Sequence, residues 1–212
     1  MNELSIINHL NNKILDYLIS KRSSTNNFKF WLRRRNTNNR LNDGHWFNGT
    51  EKYIHIGITK LGSGNLSTQS IGFVIHNVDT DNTSCGIEIL FRGENRQNLI
   101  DCYSKIADTI EGFTQIKKDH FYKTYSNDIW SSLDDFFLIQ YPKIIEIITN
   151  YGVSNELMID ENDFTKSLNK ILQKRNVMNT DTNFHENVDK IMKQSELNQI
   201  FFGPPGTGKT YH

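Results

Sequence analysis

Gln69-Ser-Ile-Gly-Phe-Val-Ile-His-Asn77 and Cys85-Gly-Ile-Glu-Ile-Leu-Phe-Arg92 decide the fold. Both are short runs rich in β-branched and aromatic residues, and the polar stretch 79–84 separates them. That pattern predicts two paired strands and their turn. Working outward, Glu51-Lys-Tyr-Ile-His-Ile-Gly-Ile-Thr59 is a third such run, joined to 69–77 by the turn residues Gly62-Ser-Gly-Asn65. Phe28-Lys-Phe-Trp-Leu-Arg-Arg-Arg35 is a fourth. Its first half alternates, with Phe28, Phe30 and Leu32 to one side and Lys29, Trp31 and Arg33 to the other. Four strands at short spacing predict an antiparallel meander. A further short strand is expected around 120–125.

Helices flank this block. Residues 2–21 place Leu4, Ile7, Leu10, Ile14 and Leu18 at three- and four-residue spacings, with Asn8, Asn11, Asn12 and Lys13 on the other face. Leu99, Tyr103, Ile106 and Ile110 do the same for 95–112, with Gly112 as the stop. Residues 130–152 read as helical, but Pro142 predicts two helices or one kinked helix, with the proline near the start of the second piece. Residues 160–175 carry Phe164, Leu168, Ile171 and Leu172, with Asp160, Glu161 and Asp163 in the first turn, where the helix dipole favours anions. The fold class is therefore expected to be α+β: an N-terminal helix, an antiparallel sheet of four to five strands, then a helical C-terminal half.

A different pattern closes the chain. Asn198-Gln-Ile-Phe-Phe202 is a short apolar run, and Gly203-Pro-Pro-Gly-Thr-Gly-Lys-Thr210 follows it directly. This is G-x-x-x-x-G-K-[ST], the phosphate-binding P-loop, in its usual place after a strand. Gly203, Gly206 and Gly208 let backbone N–H groups turn toward phosphate oxygens, and Pro204, Pro205 and Thr207 complete the loop. Lys209 places a positive charge on the β- and γ-phosphates, and the Thr210 hydroxyl is a ligand for Mg²⁺. The nucleotide, GTP or ATP, is left open. A Walker-B acid, a water-positioning residue and an arginine finger are also needed. They would lie after residue 212, so no catalytic residue is assigned. The expected organisation is a specificity domain over 1–175, a linker over 176–197, and over 198–212 the truncated start of a P-loop α/β module in a longer nucleotide-driven protein.

Composition narrows the class. The formal net charge is zero, so any nucleic-acid signal must be local. Cys85 and Cys102 have no metal-knuckle spacing and read as buried free thiols. The seven histidines show no metal-ligand spacing either. No signal peptide or run of 18 apolar residues is present, which predicts a cytoplasmic protein without a membrane partner.

The local signal lies between Phe28 and Lys60. Seven cations (Lys29, Arg33, Arg34, Arg35, Arg40, Lys52 and Lys60) face two anions, Asp43 and Glu51, a local charge of about +5. Arg33, Arg34 and Arg35 end a strand and enter a long polar loop, 36–48, that is expected to reach into a groove. Arg33, Arg34, Arg35 and Arg40 would then hold phosphates or guanine edges. Trp46, Phe47 and Tyr53 would stack on a base or wedge into a duplex. A solvated strand edge for the arginines and core packing for the aromatics remain open beside that reading.

At the P-loop the chain resembles the McrB-type AAA+ proteins, the motor subunits of modification-dependent restriction systems. The G-P-P-G-T-G-K-T form is shared by many AAA+ ATPases. The layout, a domain of just under two hundred residues, a linker and then the P-loop, is what makes it similar to McrB. The resemblance implies a homo-hexameric ring that hydrolyses GTP, an McrC-type nuclease partner, and an N-terminal domain that reads DNA, often methylated. The alternatives are a protein-interaction or ligand-sensor domain on another AAA+ ATPase, for example in phage defence.

Overall fold

The computed structural model describes residues 3–25, 27–60, 69–78 and 82–178. The turn 62–65, residues 179–197 of the expected linker and the P-loop 203–210 lie outside the described residues. The chain forms two compact units, Met1–Ile171 and Leu172–His212. Of the second, only 172–178 are described, as helix.

The first unit is α+β. Helix α1 (Glu3–Ser24) is followed by a one-turn helix at Thr37–Asn39. The strands β1 (Asn48–Gly49), β2 (Tyr53–Gly57), β3 (Gln69–His76) and β4 (Ser84–Phe91) come next. Helix α2 (Gln97–Thr109), a hairpin of β5 (Thr114–Lys117) and β6 (His120–Tyr125), and helices α3 (Ile129–Asp134), α4 (Tyr141–Asn150) and α5 (Ser154–Leu157) follow. A last helix, α6, covers 161–178. The six strands form one antiparallel sheet in the order β1-β2-β3-β4-β6-β5. Of the four-stranded meander expected from 28–92, the three strands within 51–92 are present, and the strand expected at 120–125 joins them as β6 beside β4.

One face of the sheet carries Ile54, Ile56, Ile71, Phe73, Ile75, Ile87 and Ile89, all at most 2 % exposed. The helices pack on it: the Phe73 ring lies 5.7 Å from Phe136, and Phe91 stacks on Tyr103 of α2 at 5.2 Å. The opposite face also closes at its centre, where His55 and Val74 are buried between small residues. Gly72 is required there. A Cβ on it would meet His55 Nε2 at 2.7 Å and the Ile56 carbonyl at 2.8 Å.

Pro142 sits in the first turn of α4. Residues Asp135–Gln140 before it form a wider π-helical turn. A proline gives no N–H to the preceding turn and crowds its carbonyls, and the widened turn accommodates both.

The sheet has six strands where the sequence predicts four to five, because β1 and β5 add short edge strands, and two further expectations change. Residues 28–35 are extended and keep the predicted alternation, with Phe28, Phe30 and Leu32 buried, but they form no ladder strand. Trp31 N donates to the Gly57 carbonyl and Arg33 N to the Trp46 carbonyl, two single bonds to two different segments. The edge of β2 is taken by β1. The buried rings hold 28–35 in place instead: Phe28 lies 4.6 Å from Phe137 and Phe30 5.0 Å from Phe164 of α6.

The second change is Asn11. Helical periodicity puts it on the polar face of α1, yet it is 1 % exposed. Its Nδ2 donates to the Ile7 carbonyl at 2.9 Å, and its Oδ1 accepts from Trp46 N at 3.0 Å and Phe47 N at 3.3 Å. Asn12 Oδ1 accepts from the Trp46 indole at 2.8 Å. Buried backbone N–H groups need partners, and here α1 supplies them to the loop. Asn11→Ala therefore strands two buried donors and is expected to lower unfolding free energy by about 2–3 kcal/mol, against about 1 kcal/mol for Asn12→Ala. Urea unfolding of the two variants checks this order. An unchanged midpoint for Asn11→Ala would refute the pin.

Candidate nucleic-acid interface

The Arg33–Arg35 run follows the buried Leu32, so alternation sends its first two side chains to opposite sides. Arg33 turns into the protein. Its Nε donates to the His45 and Phe47 carbonyls at 3.0 and 3.1 Å, and its Nη2 to the Phe47 and Gly49 carbonyls at 2.8 and 3.1 Å. Burial, and secondarily the charge of Arg40, push its guanidinium down to about 10, still charged at neutral pH. Arg40 reinforces the same turn. Its Nη1 donates to the Gly49 carbonyl at 3.0 Å, and its Nη2 pairs with Glu51 at 3.0 Å.

Arg34 goes the other way. Its guanidinium lies 4.1 Å above the Trp31 ring and pairs with Asp163 of α6 at 3.1 Å. Lys170 Nζ donates to the Arg34 carbonyl at 3.3 Å. Arg33, Arg34, Asp163, Lys166, Ser167 and Lys170 line an open surface depression of about 270 Å³. Four cations against one anion give its wall a charge of about +3. Arg35 is exposed and has no partner among the described residues. Such a concavity suits an anion with several acceptor oxygens, and the stacked, planar Arg34 suits bidentate contact with phosphate.

The seven residues expected to meet DNA thus divide. Arg34 and Arg35 are at the surface, Arg34 in the depression. Arg33 reaches it only with part of its side chain, because its donors are engaged with carbonyls. Arg40 holds the loop. The expectation that Trp46 and Phe47 offer their rings to a base does not hold in this conformation: both are 1 % exposed and packed in the core. Tyr53 is 36 % exposed but lies on β2, its ring 6.3 Å from His76, and is not part of the depression. The second half of the loop 36–48 does not reach outward, because Asn11, Asn12, Arg33 and Arg40 tie down residues 45–47 and Gly49, whereas residues 36–39 are exposed. Lys166 and Lys170 were missed. Their spacing of four on a helix, on one side of the apolar Phe164 and Ile171, was the available signal. Residues 203–210 lie outside the described residues, so the phosphate loop has no geometry here. No group of three or more potential metal ligands occurs among the described residues. No helix among them is long and apolar enough to cross a membrane.

Comparison with known proteins returned no match: no family model, no curated protein and no solved structure is significantly similar to the chain.

Two buried histidines complete the surroundings. His45 lies inside the loop that Arg33 holds, and burial, then Arg40 and Arg33, lower its affinity for a proton. His55 is 3 % exposed, its Nδ1 has no hydrogen-bond partner among the described residues, and burial pushes it down to about 4. The unfolded chain, with an ordinary histidine near 6.5, binds the proton that the folded chain refuses. The contribution of His55 is therefore complete above pH 6.5 and is lost as pH falls toward 4, by up to about 3 kcal/mol. Unfolding midpoints measured across this range should fall with pH in the wild type, and fall less in His55→Gln. Equal slopes would remove His55 as the cause.

Proposed function

We propose that the chain is the target-recognition part of an McrB-like AAA+ restriction motor, and that its first unit binds duplex DNA through Arg34, Arg35, Lys166 and Lys170. The observation that carries this reading is the convergence of Arg34 with Lys166 and Lys170, more than 130 residues further along, on one cationic depression in a chain of zero net charge. Phosphate contacts of this kind position a protein on DNA and make its affinity fall with salt. The P-loop sequence supports the motor half of the proposal. In that reading Gly203 to Thr210 hold the phosphates of GTP or ATP, with Thr210 on Mg²⁺, in a homo-hexameric ring that engages an McrC-type nuclease. Bound nucleotide would supply the drive; the described residues contribute target binding.

One observation favours a second reading, a protein-interaction domain on another AAA+ ATPase. Strand β5 is at the sheet edge, exposed along its whole length, with Ile116 53 % exposed. A free edge of this kind accepts an added strand from a partner.

Fluorescence anisotropy with short duplexes, unmodified or carrying 5-methylcytosine or N6-methyladenine, separates the two. Three to four phosphate contacts predict a log–log salt slope of about −3, and so roughly a 60-fold loss of affinity between about 50 and 200 mM salt. A preference for one modified duplex would identify what is read. The absence of binding to any duplex at about 50 mM salt would sink the DNA reading and leave the β5 edge as the better candidate.

A further inference from the structure

We propose that Asp163 is a built-in stand-in for the DNA phosphate: its carboxylate occupies Arg34 in the free protein and gives way when nucleic acid binds. This rests on the DNA reading above. Asp163 is the one anion among the residues that line the depression. Its carboxylate offers Arg34 the same acceptor chemistry as a phosphate oxygen, at 3.1 Å. Asp163 is one of three contacts that place Arg34. Trp31 supports its guanidinium plane at 4.1 Å, and Lys170 holds its carbonyl. Those two contacts remain when the carboxylate leaves.

Exchange is also easy on the acid's side. The side chains of Arg34 and Asp163 are 41 % and 51 % exposed, and so open a pair is weak. Asp163 lies in the first turn of α6, its own N–H donating to Asp160 Oδ1 at 3.2 Å. After release it keeps the favourable field of the helix N-terminus. Neighbouring Glu161 does not share this role. It is held by Arg22 at 2.7 Å and Lys29 at 3.6 Å and does not line the depression. The function of such a stand-in is selectivity: the weak pair yields to a duplex that also engages Lys166 and Arg35, and an anion that meets Arg34 alone gains less from displacing it.

The test is a double-mutant cycle on the full chain with an unmodified fluorescent duplex, using Asp163→Asn, Arg34→Ala, the double variant, and Glu161→Gln as a control with the same change of charge. Asp163→Asn should tighten binding roughly three- to tenfold and steepen the salt slope by about one phosphate, clearly more than Glu161→Gln. In the Arg34→Ala background the effect of Asp163→Asn should shrink to that of the control. Asp163→Ser repeats the measurement should the asparagine variant melt early. Equal tightening by Asp163→Asn and Glu161→Gln, or an Asp163 effect unchanged without Arg34, overturns the stand-in while DNA binding itself stands. If the wild type binds no duplex at low salt, the DNA reading fails, and the stand-in with it.

Discussion

The half-buried, carbonyl-bound guanidinium of Arg33 is the constraint on which the candidate interface depends. The asparagine-rich loop 36–48 anchors itself through Leu41, Trp46 and Phe47, and its carbonyls lose water where those side chains carry it into the core. Arg33 satisfies three carbonyls, at His45, Phe47 and Gly49, with charge-assisted bonds. Asn11 satisfies the N–H groups on the same stretch. With both in place the loop lies against α1, and Trp46 and Phe47 enter the core. The same geometry leaves Arg34 facing outward on Trp31. One arginine organises so that the next can be presented.

This division bears on how a neutral chain can carry an electrostatic function. Counting charges along 28–60 overstates what is available at the surface. Arg33 and Arg40 are engaged with backbone carbonyls, and Lys29 and Arg34 with carboxylates of α6. What remains is narrower and better defined, because α6 adds Lys166 and Lys170 to the same side. A small patch with one supported arginine suits positioning on a phosphate backbone. It also explains why the signal vanishes in whole-chain composition.

Much of the fold was legible. The runs at 51–59, 69–77 and 85–92 alternate or are continuously apolar, and each became a strand in the expected order. Pro142 marked a change within the 130–152 helical stretch, from π-helical to α-helical turns, because its missing N–H is a local, sequence-readable fact. The misses share a different cause. Asn11 was sorted with the polar face because periodicity grades side chains by hydropathy and has no way to see a buried acceptor shared by two N–H groups. Residues 28–35 alternate like a strand, and their alternation is real, but whether a segment joins a ladder depends on which edge is free, and β1 occupies that edge. Arg34 was legible as a surface cation; its partners were not, since Asp163 and Lys170 stand 129 and 136 positions away.

Adjacent arginines thus divide their duties, Arg33 to the fold and Arg34 to the proposed nucleic-acid ligand. The most direct measurement is a paired one: urea unfolding and duplex anisotropy on Arg33→Met and Arg34→Met, side by side. The account predicts that Arg33→Met loses about 2–3 kcal/mol of stability, and that Arg34→Met keeps the wild-type unfolding midpoint while binding duplex roughly tenfold more weakly. It is contradicted if Arg33→Met unfolds like the wild type, or if Arg34→Met binds like it.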